Sequence, residues 1–246
     1  MSGRSRGVRR LAAVLCAVGC VLGSSLALGS PPIAAADDGG VVLEPGIKHY
    51  GKTYNELAGD WWNWAGQFPL ATGPITENGA VDCSRGQRGK IWFLAGNFGG
   101  AAGEVNPSER TCAIPRGKAI FIPLADSLFW VPEDGADVDA VRQLANGAID
   151  AVSELEATID GVVVPDLFAY RAQSSPGGFA LKFGPLLADF RFGPLPDPRD
   201  PAVADGYWLL IEPLSRGAHT ISVRSTIAPD TTIDVTYNIT VGNVRD

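Results

Sequence analysis

The chain has 246 residues, with 20 lysines and arginines against 27 acidic residues, for a formal charge of −7. Nucleic acids and anionic membrane surfaces need a positive face to bind to, so this balance argues against both as partners. Apolar residues make up 46% of the chain and charged residues 19%, which excludes a disordered chain and leaves ample core for one ordinary-to-large domain.

In chain order, Arg4, Arg6, Arg9 and Arg10 precede an uncharged apolar run over 11–28 and the small residues Ala34-Ala35-Ala36. That pattern predicts a signal peptide over 1–36, cleaved after Ala36, and a secreted, extracellular product. Gly19, Gly23, Ser24, Ser25 and Gly29 dilute the run below a good membrane-spanning helix, so no membrane span is expected after cleavage. Lipoprotein anchoring at Cys20 and a twin-arginine route through Arg9-Arg10 are the alternatives. Cleavage removes four arginines and no acid, taking the formal charge from −7 to −11. Residues 37–50, Gly-rich and acidic at their start, are expected to form a flexible N-terminal arm.

"YNELAGDWWNWAGQF", from Tyr54 to Phe68, holds three of the six tryptophans. Read as a helix, Tyr54, Leu57, Trp61, Trp64 and Phe68 fall on one stripe at steps of three and four, a face that closes a core. Trp62 lies about a hundred degrees away, beside Ala58 and Ala65, and is a candidate stacking platform for a sugar or other flat ligand. Glu56, Asp60 and Asn63 share the wet flank. A Gly-, Pro- and Asn-containing loop follows over 69–89.

"GKIWFLA" from Gly89 and "GKAIFIPL" from Gly117 resemble each other, and each follows a cysteine by five or six residues. Both read as buried strands lying close together. Cys83 and Cys112 are the two cysteines left after cleavage, and in an oxidising compartment they form one disulfide clamping the two strand entrances. Closing that ~30-residue loop contributes roughly 3–4 kcal/mol.

Residues 137–156 read as a helix capped by Asp137, with Val138, Val141, Ala145, Ala148, Val152 and Leu155 on one face. Asp160-Gly161 in "TIDGVVV" marks a tight hairpin turn. "FALKF" and "ADFRFG" read as further strands, and "PLPDPRDPAVADG" as a loop too rich in proline for a sheet interior. "GYWLLIEPL" and "GAHTISVRS" precede the clearest strand, "TIDVTYNITVG", where Ile233, Val235, Tyr237, Ile239 and Val241 alternate with polar residues. Together these elements point to a mainly β, antiparallel β-sandwich, Ig-like or jelly-roll-like, with one or two packed α-helices. It forms a single domain over 37–246.

The segments "YNELAGDWWNWAGQFPL", "DCSRGQRGKIWFLAGNFGG", "RTCAIPRGKAIFIPL", "TIDG" and "DGYWLLIEPLSRGAHTISV" together resemble an uncharacterised family of exported bacterial proteins. The likeness runs from about Tyr54 to Val241 and implies export and a shared fold, but no activity. "PLSRGAHTISV" also resembles the last strands of many extracellular sandwich modules, which bears on fold alone.

Candidate chemistry is sparse. No metal site is expected, because His49 and His219 are the only histidines and no ligand cluster has metal-binding spacing. Calcium is the one possible cofactor, at the acidic loops Glu133-Asp134-Asp137-Asp139 and Asp197-Asp200-Asp205, neither of which has EF-hand spacing. There is no Gly-x-Ser-x-Gly elbow for a nucleophilic serine. His219 shares parity with Ile221 and Val223, which aims it at the apolar face, where a histidine usually bonds a backbone carbonyl. Glu104, Asp126, Glu133 and Glu212 lie near strand ends. The leading expectation is a non-enzymatic protein that binds a ligand, a glycan or a cell-envelope component through Trp62 and Asn63. A secreted carboxylate-dependent hydrolase or lyase using Glu56, Asp60 and His219 is one alternative, and a structural envelope subunit is the other.

Overall fold

The structure, a computed structural model, describes residues 41–99, 106–182, 184–190, 199–227 and 231–242. Residues 1–36, where the sequence predicts a signal peptide, and Glu104 therefore lie outside the described residues, and residues 37–246 form one compact unit. Its elements run β1 (Val42–Leu43), α1 (Tyr54–Ala65), β2 (Gly79–Ala80), β3 (Ile91–Phe93), β4 (Ser108–Pro115) and β5 (Ala119–Trp130). Next come α2 (Val138–Asp150), β6 (Val152–Ile159), β7 (Val162–Val163), β8 (Arg171–Gln173), β9 (Phe179–Leu181) and α3 (Pro185–Phe190). Three long strands finish the chain: β10 (Arg199–Ile211), β11 (Gly217–Ile227) and β12 (Thr231–Gly242).

Two six-stranded sheets make a β-sandwich. In the first, β10 pairs antiparallel with β5 on one side and with β1, β8 and β9 on the other, and β3 lies outside β5. The second has the order β2-β4-β12-β11-β6-β7. Most pairings are antiparallel, but β3·β5, β4·β12 and β2·β4 are parallel. The two Gly-Lys segments are the first of these pairs, with Ile91 opposite Ala119 and Phe93 opposite Phe121. Cys83 and Cys112 are bonded, with Cα atoms 5.8 Å apart. The bond ties the loop before β3 to β4 of the other sheet, rather than the entrances of the two paired strands.

Strand period two divides the core. Leu209 and Ile211 of β10 join Ile120 and Ile122 of β5 and Ile221, Val223, Val235, Tyr237 and Ile239 of the second sheet in one buried cluster. Trp208 and Leu210, on the opposite face, join Phe121 and the aromatic stripe of α1 in another. The expected stripe is the buried one: Tyr54, Leu57 and Trp61 are at most 1% exposed and Trp64 6%, while Phe68 lies past the helix and is half-buried. Thr53 starts α1 with a full capping box, its hydroxyl accepting from the Glu56 amide while the Glu56 carboxylate accepts from the Thr53 amide.

Four sequence expectations need correction. The arm over 37–50 is not loose from residue 41 on: β1 pairs with Leu210 and Ile211, and Tyr54 donates its hydroxyl hydrogen to Leu43 O. The helix predicted over 137–156 ends at Asp150, because Val152 and Leu155, which fit a helical face, also fit a strand, and pairing with β11 decides between them. Ala188 and Asp189 of "ADFRFG" belong to α3, and residues 191–198 are outside the described residues. Finally, the proline-rich segment enters the central strand. Pro201 sits at the irregular start of β10, before the ladder to β5 begins at Ala202, so its missing N–H breaks no ladder bond there.

Candidate functional site

A groove of about 640 Å3 runs along one flank of α1. Four stretches of chain build it, and each is held in place by contacts that can be traced to particular residues. The first is a two-residue hairpin, where His49 and Lys52 exchange backbone hydrogen bonds of 2.8 and 3.0 Å around Tyr50 (φ 52°) and Gly51 (φ 84°). Positive φ at both central residues defines a type I′ turn, which favours Asn and Gly, so a bulky tyrosine there is held in strain. Tyr50 is 45% exposed at the groove's rim.

The second stretch is α1 and the turn that follows it, contributing Asp60, Asn63 and Trp64 from the helix and Gln67 just past its end. Asp60 pairs with Lys52 at 2.8 Å, and that hydrogen bond holds the Lys52 ammonium above its ordinary range, with desolvation opposing it. The third stretch, Gly86 to Phe93, forms the opposite wall and carries Arg88 and Lys90. The Gln87 side chain grips the Phe93 backbone on both its N–H and C=O, and Trp64 Nε1 donates to Arg85 O at 3.0 Å, so this wall is pinned to β3 and to α1. Gly86 combines φ 65° with an approach so close that a Cβ would meet the Gln67 amide at 2.5 Å. The fourth stretch, after β9, brings Lys182 and Gly184. Asn63 fixes it, accepting from Lys182 N at 2.8 Å and donating to Ala180 O at 3.2 Å, and Gly184 packs against the Gly66 carbonyl where a Cβ would lie 2.1 Å away.

Among the described residues, four cationic side chains and one carboxylate line this groove, in a chain whose formal charge is −7. Trp64, Phe93 and Tyr50 supply its aromatic surface.

The sequence candidates fall as follows. Asp60 and Asn63 line the groove, although the amide of Asn63 is spent on the β9 segment. Trp62 does not offer a stacking face: it is 8% exposed, with its ring edge-on to Trp61 at 5.1 Å. The physical reason lies along the same helix face, one or two turns from Trp62. Asn55 donates to Gln173 O, Gly59 packs on Phe179 and Gly66 abuts Gly184, so β8, β9 and the link to α3 cover the face that carries Trp62. Glu56 is occupied in the capping box, whose hydrogen bonds from Thr53 hold its carboxyl below the ordinary range.

His219 lies elsewhere, at the start of β11, where it meets Asp160 and Ser215. Its Nδ1 is 2.7 Å from Asp160 Oδ2 and its Nε2 is 3.3 Å from Ser215 Oγ, an order that looks like a nucleophilic triad. Nε2, however, lies nearer to Ser215 O, at 2.9 Å, and a carbonyl oxygen can only accept, so the ring is placed to tie the backbone rather than to draw a proton from the hydroxyl. Asp160 also accepts from Thr220 N at 2.7 Å, and the cluster ties the β6–β7 turn to β11.

Among the other acids, Asp134 accepts from Trp130 N and Asp137 caps α2. Asp205 is fully buried and held bidentate by Arg171, whose guanidinium is raised above its ordinary range chiefly by that hydrogen bond. Among the described residues no three His, Cys, Asp or Glu side chains converge as a metal site would require. Asp126 is half-buried on β5 opposite Gly206, and desolvation lifts its carboxyl to about 7. Sequence reasoning missed Tyr50, Lys52, Arg88, Lys90 and Lys182; the only local signal was Tyr50-Gly51 as a turn pair.

No protein-family model matches the chain, and neither a curated protein nor a solved structure is significantly similar to it.

Proposed function

We propose that the chain is an exported binding protein that holds a cell-envelope ligand in the groove beside α1. The observation that carries this reading is the groove itself: four stretches far apart in sequence converge on about 640 Å3, within the range of small-ligand sites. Asp60, Asn63 and Trp64, all from the tryptophan-rich helix, line it. The strained, half-exposed Tyr50 supports the same reading, since strain of this kind tends to be kept where a side chain is needed.

Residues 1–36 and the Cys83–Cys112 disulfide support export, since such bonds persist in oxidising compartments. Cleavage after Ala36 would give a secreted chain beginning at Asp37, and N-terminal sequencing of the exported form tests this. For binding, the purified protein is titrated with cell-envelope glycan fractions while tryptophan fluorescence is followed, since Trp64 lies in the groove wall. Saturable quenching that Phe93→Ala weakens supports the proposal. Absence of binding to every fraction would sink it.

A further inference from the structure

We propose that the ligand of this groove is a polyanionic glycan, a sugar chain carrying repeated carboxylate, sulfate or phosphodiester groups. The inference rests on the groove being the binding site and adds the ligand's chemistry. Its first support is charge. Acidic residues outnumber basic ones in the chain, 27 to 20, yet among the described residues cations outnumber acids four to one along the groove. Lys52 is neutralised by Asp60. Arg88, Lys90 and Lys182 are exposed and have no ion pair among the described residues, so three uncompensated positive charges face one channel. On a surface this acidic, intramolecular carboxylates would be the ordinary partners for such cations.

The second support is distribution. Arg88 and Lys90 stand on the wall before β3, while Lys182 stands on the segment after β9 across α1. Charges on separate walls of a 640 Å3 groove suit a ligand with anionic groups at several positions better than one inorganic ion. Arg88 adds a planar donor fork that meets carboxylate, sulfate or phosphate oxygens two at a time.

The third support is the aromatic surface. Tyr50 at the rim and Phe93 in the wall offer flat faces on which the C–H side of a sugar ring can lie, with the neighbouring cations reaching its acidic substituents. A lipid surface would need an exposed apolar rim around the cations, whereas among the exposed lining residues only Tyr50 and Pro185 offer apolar side-chain surface, beside Gln67, Arg88, Lys90 and Lys182.

The test titrates the purified protein, by calorimetry at low and near-physiological salt, with oligogalacturonate, a chondroitin sulfate oligosaccharide, a glycerol-phosphate oligomer and a neutral dextran oligomer of matched length. Anionic lipid vesicles and inorganic phosphate are run alongside. At least one anionic oligomer should bind at least tenfold more tightly than the neutral one, with the advantage shrinking as salt rises. Arg88→Ala combined with Lys182→Ala should weaken it about tenfold. Tyr50→Asn should weaken it too while raising stability, because Asn accepts the left-handed conformation with less strain. Unchanged near-UV circular dichroism shows that the variants fold. Equal binding of the neutral oligomer with no salt dependence would overturn the ligand class and leave the groove reading standing. Binding of vesicles or of phosphate alone in preference to the oligomers would also overturn the class. No binding to any glycan would overturn both.

Discussion

Arg110 is fully buried, and all five of its N–H donors are used: Nε to Glu77 O, Nη1 to Ala95 O and the Tyr237 hydroxyl, Nη2 to Ile75 O and Gly96 O. None of these acceptors is a carboxylate, so the guanidinium works as a five-point staple joining the loop after α1, the chain after β3 and strand β12. Tyr237 is held above the ordinary phenol range by burial, with Arg110 acting in the opposite direction. Arg110→Met removes every donor and leaves buried carbonyls unpaired, and a loss of roughly 3–5 kcal/mol is expected in urea unfolding. Arg110→Lys should recover only part of it, having three donors and no planar fork. Asp126 makes the opposite case. Its folded value of about 7 lies above the unfolded 3.8, so the unfolded chain ionises first and stability falls as pH rises between those values. Asp126→Asn should therefore match the parent near pH 4 and exceed it at pH 8. Partial exposure reduces the gain to roughly 1–2 kcal/mol. Unfolding midpoints of the two proteins across pH check this, and a variant less stable at pH 8 would contradict the desolvation argument.

The loop from Pro69 to Gly89 contains only the two-residue strand β2 and one 3-10 turn, so covalent and side-chain ties position it. Cys83–Cys112 closes a separation of 29 residues between this loop and β4. Replacing both cysteines with alanine should cost roughly 3–4 kcal/mol through the freed unfolded chain. It should also loosen the wall that carries Arg88 and Lys90, so affinity for the groove's ligand should drop even where the variant remains folded, a loss that titration reads directly. How much of this was legible depends on how local each determinant is. The stripe Tyr54, Leu57, Trp61, Trp64 fixes α1 from sequence alone, and the nine-residue alternation Ile233 to Val241 fixes most of β12. Residues 152–156 satisfied both helical and strand periods, so only pairing with β11 separates β6 from α2. Trp62 looked open because the residues covering its face, Phe179 among them, come more than a hundred positions later. Asp60 and Asn63 were found on a wet flank of α1, whereas the cations opposite them arrive from other stretches and share no spacing.

Sheet strands β5 and β10 form a wall between two hydrophobic regions, one filling the sandwich and one lying under α1. Ile211 and Leu210, adjacent in sequence, serve the two sides in turn. Opening this wall exposes both cores at once, so it belongs to the last unit to unfold, whereas β7, with Val162 56% and Val163 70% exposed, pairs only with β6 at an edge. Native-state hydrogen exchange should show the slowest amides in β5 and β10 and fast exchange in β7. The groove stands on the α1 side of that wall, built on rigid helix and strand below and on short loops above. A ligand seated there adds little protection to a wall that opens last, whereas it covers the hairpin 49–52 and the stretch 86–90 directly. Adding the tightest-binding oligomer should therefore slow exchange at those two stretches and at Lys182, with the β6–β7 edge unchanged. Protection appearing at β6–β7 and the Asp160–His219 cluster instead would place the binding surface on the other sheet and remove the groove from the account.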